Sequence, residues 1–251
     1  MRARFVNEAK IQPNRELFDK FKDTLLNVKR SGTHDPFAEI NDQLNDDNIY
    51  FVDFQGHIDK MEPSEQKMMK TANMMPPLGI RYMGYDPPSG QLFVAVDQTF
   101  DNKFTRVPSR QLEDMVDHMW SAFGHETIHM NQVSKMGVQQ DPTFDSQDDY
   151  FSNKQEIMAM AFSFVTEMRD MHSDEEIIDL LRTDKIDPPP PPPGMGPGIR
   201  PQGMPVQHPL YTVYKRLGGK AFKMFSKYAY QYLMQDQEEG SLVDFYNNKV
   251  K

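Results

Sequence analysis

The apolar positions along the chain mark out helices, a short run of strands and one segment unlike either. Leu17, Phe18, Phe21, Leu25 and Leu26 recur at helical spacing just after Pro13, which predicts a helix over residues 14–28. Residues 30–47 are polar and read as turns. Residues 48–54, Asn-Ile-Tyr-Phe-Val-Asp-Phe, are rich in β-formers and predict a strand. Residues 61–77 carry methionines without a clear period and end in Pro76-Pro77, so no element is assigned there. Residues 78–85 and 91–96 read as two strands. Between them Asp86-Pro87-Pro88-Ser89-Gly90 is a turn, because proline presets φ and glycine permits a positive one. A hairpin follows. Its second strand, Leu92-Phe93-Val94-Ala95-Val96, is apolar throughout and is expected to be central or covered.

The second half is helical. Leu112, Met115, Val116, Met119, Trp120 and Phe123 form one stripe, predicting a helix from a Ser109 N-cap to about Lys135. Residues 137–150 read as a polar loop. Ser152 with Gln155 has capping-box spacing and opens a helix that buries Met158, Ala161, Phe162 and Val165. Ser173 with Glu176 repeats the box before a short helix to about Leu181. Residues 187–205 contain six consecutive prolines and then a glycine-rich stretch, a stiff polyproline segment followed by a flexible one. A spacer is the simpler reading; a PxxP ligand is the functional one. From Pro209 the chain is helical again, with a break at Gly218-Gly219, and the residues after Gln237 are expected to be weakly docked. The organisation expected is a core over residues 1–186, a Pro/Gly-rich linker or loop over 187–208, and a helical segment over 209–251 packing on the core.

Composition narrows the chemistry. The 251 residues carry 28 basic and 37 acidic side chains, a net charge of -9, which argues against a broad nucleic-acid footprint. Aromatics at 11% argue against general disorder. No apolar run approaches a membrane span, and Met1-Arg2-Ala3-Arg4-Phe5 has no apolar stretch behind it, so neither a membrane nor a signal peptide is expected. There is no cysteine, so disulfides, thiolate metal sites and thiol nucleophiles are excluded; any metal must rest on histidine and carboxylates.

His125-Glu126-Thr127-Ile128-His129 matches H-E-x-x-H. Two histidines four apart on a helix share a face and can grip one Zn²⁺. Glu126 then lies where it can take a proton from a water whose pKa the zinc has lowered. With only 7 histidines, chance yields on the order of 0.01 such matches in a chain of this length. A catalytic zinc needs a third protein ligand. No histidine follows at metzincin spacing, and His172 closes a helix. Glu156, in the first turn of the next helix and at the head of an apolar run, is the stronger candidate. The competing reading is an acid that merely complements the helix dipole.

His125-Glu126-Thr127-Ile128-His129 with Gln132, then Glu156-Ile157-Met158-Ala159-Met160-Ala161, resembles the small gluzincin-like metallopeptidases encoded by tailed bacteriophages. The likeness covers roughly residues 110–164, with weaker echoes at residues 1–8 and 227–233. It implies a zincin fold, His125, His129 and Glu156 as zinc ligands, Glu126 as general base, and a peptide or protein as substrate. It also implies a place in the host-cell cytoplasm, or association with a virion or a host protein.

Several residues carry weaker expectations. Gln132 lies seven residues after His125 on the same helix face and is read either as a partner of a ligand or as a plain polar residue. His118 is about 10.5 Å from His125 along the axis, too far to share the metal. Tyr150 is the first choice for a donor to the reaction's oxyanion, ahead of His208, Tyr211 and the tyrosines at 228, 230 and 232. Met160 stands where thermolysin-like enzymes carry an Asp. The scattered methionines are read as packing. A di-iron bundle would need a second E-x-x-H, which is absent, and the deformylase version of the motif needs a Cys ligand. The fold expected is therefore α+β and zincin-like: a small antiparallel sheet on the motif helix, with helices after it. Residues 92–96 would line the cleft, where an extended peptide adds as a strand. The alternative from another class is a zincin-shaped structural or host-interaction protein of a phage with little or no catalysis.

Overall fold

The computed structural model describes residues 11–44, 48–59, 78–136, 146–183 and 208–234. The expectations for residues 61–77, the proline-rich segment and the residues after 237 lie outside them, as does the likeness at residues 1–8. The chain divides into two compact units, Ile11–Pro142 and Thr143–Lys251 with Met1–Lys10.

In the first unit, α1 (Arg15–Ser31) starts where the Asn14 side chain accepts from the Leu17 N–H and ends at Gly32, whose φ of 69° is the left-handed stop that glycine adopts without strain. Its buried face is the expected one, Leu17, Phe18, Phe21, Leu25 and Leu26, extended by Val28. The polar stretch after it is not all turns: α2 (Pro36–Leu44) occupies part of it. Its apolar contacts come from Phe37, Ile40 and Leu44, one or two per turn, too thin a stripe to stand out among polar neighbours. Pro36 and the Asp35 carboxylate, which accepts from the Ala38 N–H, supply the start.

The sheet holds β1 (Ile49–Asp53), β2 (Ile80–Asp86) and β3 (Gln91–Val96) in the order β1-β3-β2. The hairpin β2–β3 is antiparallel, as the turn sequence requires. β1 runs parallel to β3, so the sheet is mixed and not purely antiparallel. The long connection from β1 through α3 (Phe54–Ile58) and β2 permits that crossover; a tight turn would not. β3 is central, and Leu92 to Val96 are all buried. Its central place removes it as a docking edge. The outer edge of β1 is also met, because the Asn41 amide donates to the Phe51 carbonyl at 3.2 Å and accepts from the Phe51 N–H at 2.6 Å, standing in for a further strand.

After α4 (Phe100–Arg106), the single long helix expected from residue 109 is two: α5 (Ser109–Asp117) and α6 (Trp120–Met136). The N-cap of α5 is Pro108, without a side-chain bond, and not Ser109. At the break Met119 N–H bonds the Val116 carbonyl three residues back, a tightened turn. The apolar stripe runs across it unbroken, which is why periodicity does not register it. α6 packs on β2, β3 and α1, and Phe123 joins the aromatic core with Phe18 and Phe21.

In the second unit, α7 (Gln147–Ser152) lies inside the stretch expected to be loop, capped by Ser146, whose Oγ accepts from the Asp149 N–H. α8 (Lys154–Arg169) is therefore capped by Asn153 and not by Ser152. An Asn side chain reaches the N–H two residues on, at Gln155, and takes the cap. α8 is buried on most sides, from Glu156 to Met168. α9 (Asp174–Thr183) has the reciprocal Ser173–Glu176 box as expected. α10 (Pro209–Leu217) and α11 (Gly219–Met234) meet at Gly218, with φ at 60°. α11 lies along α8, and Phe164, Phe225, Ala229 and Leu233 are buried in this unit. The structure is thus mixed α and β, mostly helical with one small sheet. Among the described residues no helix is long and apolar enough to cross a membrane.

Candidate metal centre

The motif occupies the second and third turns of α6. Ile128 is fully buried and Thr127 is wholly inaccessible. The Thr127 hydroxyl donates to the Gly124 carbonyl at 2.9 Å and accepts from the Asn14 N–H at 3.0 Å, while Asn131 donates to the Gln12 carbonyl at 2.7 Å. Thr127, within the motif, and Asn131, just after it, therefore fasten the helix to the segment that leads into α1. That leaves His125, Glu126 and His129 on the other side.

His125 is buried and His129 half-buried. Their rings cross at 68° with centroids 4.9 Å apart, and the two Nε2 atoms stand 3.1 Å from each other. Two imidazole nitrogens about 2.05 Å from one tetrahedral ion would be about 3.3 Å apart, so the pair already converges as ligands must. Gln132 sets the chemistry of one of them. Its Oε1 lies 3.1 Å from His129 Nδ1 and it is 1% exposed. An amide oxygen only accepts, so Nδ1 carries the proton and Nε2 keeps the lone pair a metal needs. Gln132 is therefore a buried partner of His129 and not a plain polar residue at the helix end.

Glu126 is half-buried, and its Oε2 accepts from the Tyr85 N–H of β2 at 3.1 Å. This is an outward-pointing backbone donor at the end of an edge strand. With Met83, Gly84, Leu92, Phe93, Val94 and Phe123, Glu126 also lines a small apolar cavity. Glu156 is buried in the first turn of α8, beside Ile157, Met158 and Ala159, which are buried too. One imidazole nitrogen from each of His125 and His129 and one carboxylate oxygen from Glu156 all lie within 4.8 Å of one another, a group that could hold a metal ion. Two nitrogens and an anionic oxygen, with no thiolate, are a donor set for a borderline divalent cation.

No family model, no curated protein and no solved structure matches this chain.

Tyr150 sits on α7, half-buried, with its ring against Phe151 at 5.2 Å. His118 is exposed at the end of α5, where Nδ1 lies 2.6 Å from the Asp114 carbonyl. His172 is 3.7 Å from Glu176. His208 is buried with Nε2 3.0 Å from Glu167, and Tyr211 donates to the Leu180 carbonyl at 3.4 Å; both hold α10 in place. Tyr232 is buried against Phe162, and burial pushes its phenol well above the ordinary range. Two participants have no signature in the sequence: the Tyr85 N–H, which is backbone, and the Asn14–Thr127 tie, which joins distant residues.

Proposed function

We propose that this chain is a gluzincin-type zinc peptidase, with His125, His129 and Glu156 as zinc ligands and Glu126 as general base. The observation that carries the reading is the convergence of those three ligand groups within 4.8 Å, with the motif glutamate held beside them on the same helix. A zinc ion bound there supplies Lewis acidity and lowers the pKa of water toward neutrality. Glu126 takes a proton from the attacking water onto its carboxylate as the C–O bond forms. It then delivers that proton to the amine nitrogen as the C–N bond breaks. The Tyr85 N–H fixes the direction of the carboxylate by holding Oε2. Gln132 holds His129 in the tautomer that presents Nε2.

An extended peptide substrate docks along β2, the edge strand on the Glu126 side, and not at β3, which has a strand on each flank. The sequence resemblance to phage-encoded gluzincin-like metallopeptidases supports this chemistry and would make the substrate a host or virion protein. The test compares metal-loaded wild type with Glu126→Gln on unfolded casein. Removing a general base is expected to lower hydrolysis by about 10²-fold or more. Both proteins should retain equal metal. Equal rates would contradict the assignment of Glu126. A metal-loaded wild type that cleaves neither casein nor a peptide library would favour the non-catalytic phage structural or host-interaction reading.

A further inference from the structure

Residues 209–234 hold Lys215, Arg216, Lys220, Lys223 and Lys227 and no Asp or Glu, in a chain whose net charge is -9. Lys215 and Arg216 close α10, and the three lysines after them lie on α11. Spaced three and four apart, Lys220, Lys223 and Lys227 share one stripe, opposite the face that buries Phe225, Ala229, Tyr232 and Leu233. Lys220 and Lys223 are exposed and Lys227 is half-buried. The Lys227 Nζ lies over the Tyr228 ring at 5.2 Å, and the Lys215 Nζ over that of Tyr211 at 5.9 Å.

This placement works against α11. A cation in the first turn opposes the helix dipole, and no acid is there to offset Lys220. Like charges three and four apart repel. Among the described residues Lys220 and Lys223 have no ion-pair partner. The acids of α9, which also packs on α11, turn to other groups: Asp174 to Arg169, and Glu176 to the Ser173 N–H. Local choices that weaken an element without a gain inside the fold mark a surface kept for something outside it.

We propose that the lysine stripe of α11, continued by Lys215 and Arg216, docks an acidic segment of a partner protein. Charge complementarity names the partner. From Lys220 to Lys227 the stripe spans about 10.5 Å along the axis, the reach of about three residues of extended chain. An anionic membrane would need apolar side chains beside the cations, and among the described residues of this unit the exposed large one is Met171, which lies off α11. A single-stranded nucleic acid would need rings on which bases stack, and the tyrosines of α10 and α11 are buried. A net charge of -9 also repels a long polyanion.

The test uses the full chain as wild type, as Lys220→Glu with Lys223→Glu, and as Arg106→Glu with Arg110→Glu. The last pair removes the same charge from exposed positions on the other unit. The probe is a fluorescein-labelled peptide of alternating Glu and Ser, followed by anisotropy in EDTA, so that the result is independent of the zinc site. Wild type and the arginine variant should bind it alike, and the lysine variant about 10-fold or more weakly. Added NaCl should weaken binding, and the matching Gln-Ser peptide should not bind. The Tm of the lysine variant should equal or exceed that of wild type, because acids suit the start of a helix, so lost binding is not lost folding. Wild type that does not bind the Glu-Ser peptide, a lysine variant that binds as tightly, or an equal loss in the arginine variant would overturn the proposal. Tighter binding of oligothymidylate or of phosphatidylserine vesicles would overturn it in favour of nucleic acid or membrane. Salt-sensitive self-association of wild type, lost in the lysine variant, would overturn it in favour of a second copy of the chain.

Discussion

Asp97 and Arg81 show how a few residues fasten the end of the sheet. Asp97 follows β3 and takes the Arg81 guanidinium at 2.6 Å, the Thr99 N–H at 2.8 Å and the Thr99 hydroxyl. Burial works against its ionised form, but the Thr99 bonds and Arg81 outweigh it and hold the carboxyl below its ordinary value of 3.8. A folded pKa below the unfolded one stabilises the protein above pH 3.8, and that contribution is lost as the pH falls through the depressed folded value. Asp97→Asn should therefore cost about 1–2 kcal/mol at pH 7 in urea unfolding, and the gap to wild type should close as the pH falls below 3.8. A gap independent of pH would show that charge is not the cause. At this scale the sequence was legible where chemistry has a spacing: His125, Glu126 and His129 by motif, and Glu156 because an acid heads an apolar run. It was illegible for the tyrosines at 211, 214, 228, 230 and 232, which all sit on apolar faces; only packing shows that Tyr211 donates to a backbone carbonyl while the Tyr214 ring stacks on Phe225.

The elements were read well where one residue type dominates and poorly where competing caps lie side by side. α1, the hairpin and the Ser173–Glu176 box follow from their patterns. The start of α8 does not, since Ser152 and Asn153 are both good caps and the choice depends on α7 ending between them. The division of α5 from α6 likewise leaves the apolar stripe intact. The direction of β1 depends on a crossover, not on the residues of β1 itself. β2 carries a further constraint at Gly84. A Cβ there would stand 2.6 Å from the Phe93 ring and 2.9 Å from that of Tyr82. Phe93 cannot yield easily, because His57 packs on it at 4.4 Å and Tyr82 at 5.5 Å. Gly84→Ala is expected to destabilise the protein by about 1–3 kcal/mol, the range for overpacking a filled site, measured by thermal or urea unfolding. Unchanged stability would mean that the cavity beside Glu126 absorbs the ring.

Across the whole molecule, the sequence predicted the class, α with a little β, and the kind of donor available to a metal. A chain with no cysteine and a net charge of -9 can build a cation site only from imidazole and carboxylate, and the group found is of that kind. What sequence alone could not supply was the sheet order, which makes β3 the central strand and leaves β2 as the edge beside Glu126. The central claim is that His125, His129 and Glu156 hold one zinc. It is tested most directly by elemental analysis of wild type and Glu156→Ala, each purified without chelators and shown to be folded by circular dichroism. The account predicts about one zinc per wild-type chain, and much less in the variant because a ligand has been removed. Wild type without zinc, or a variant that retains the full complement, would contradict it.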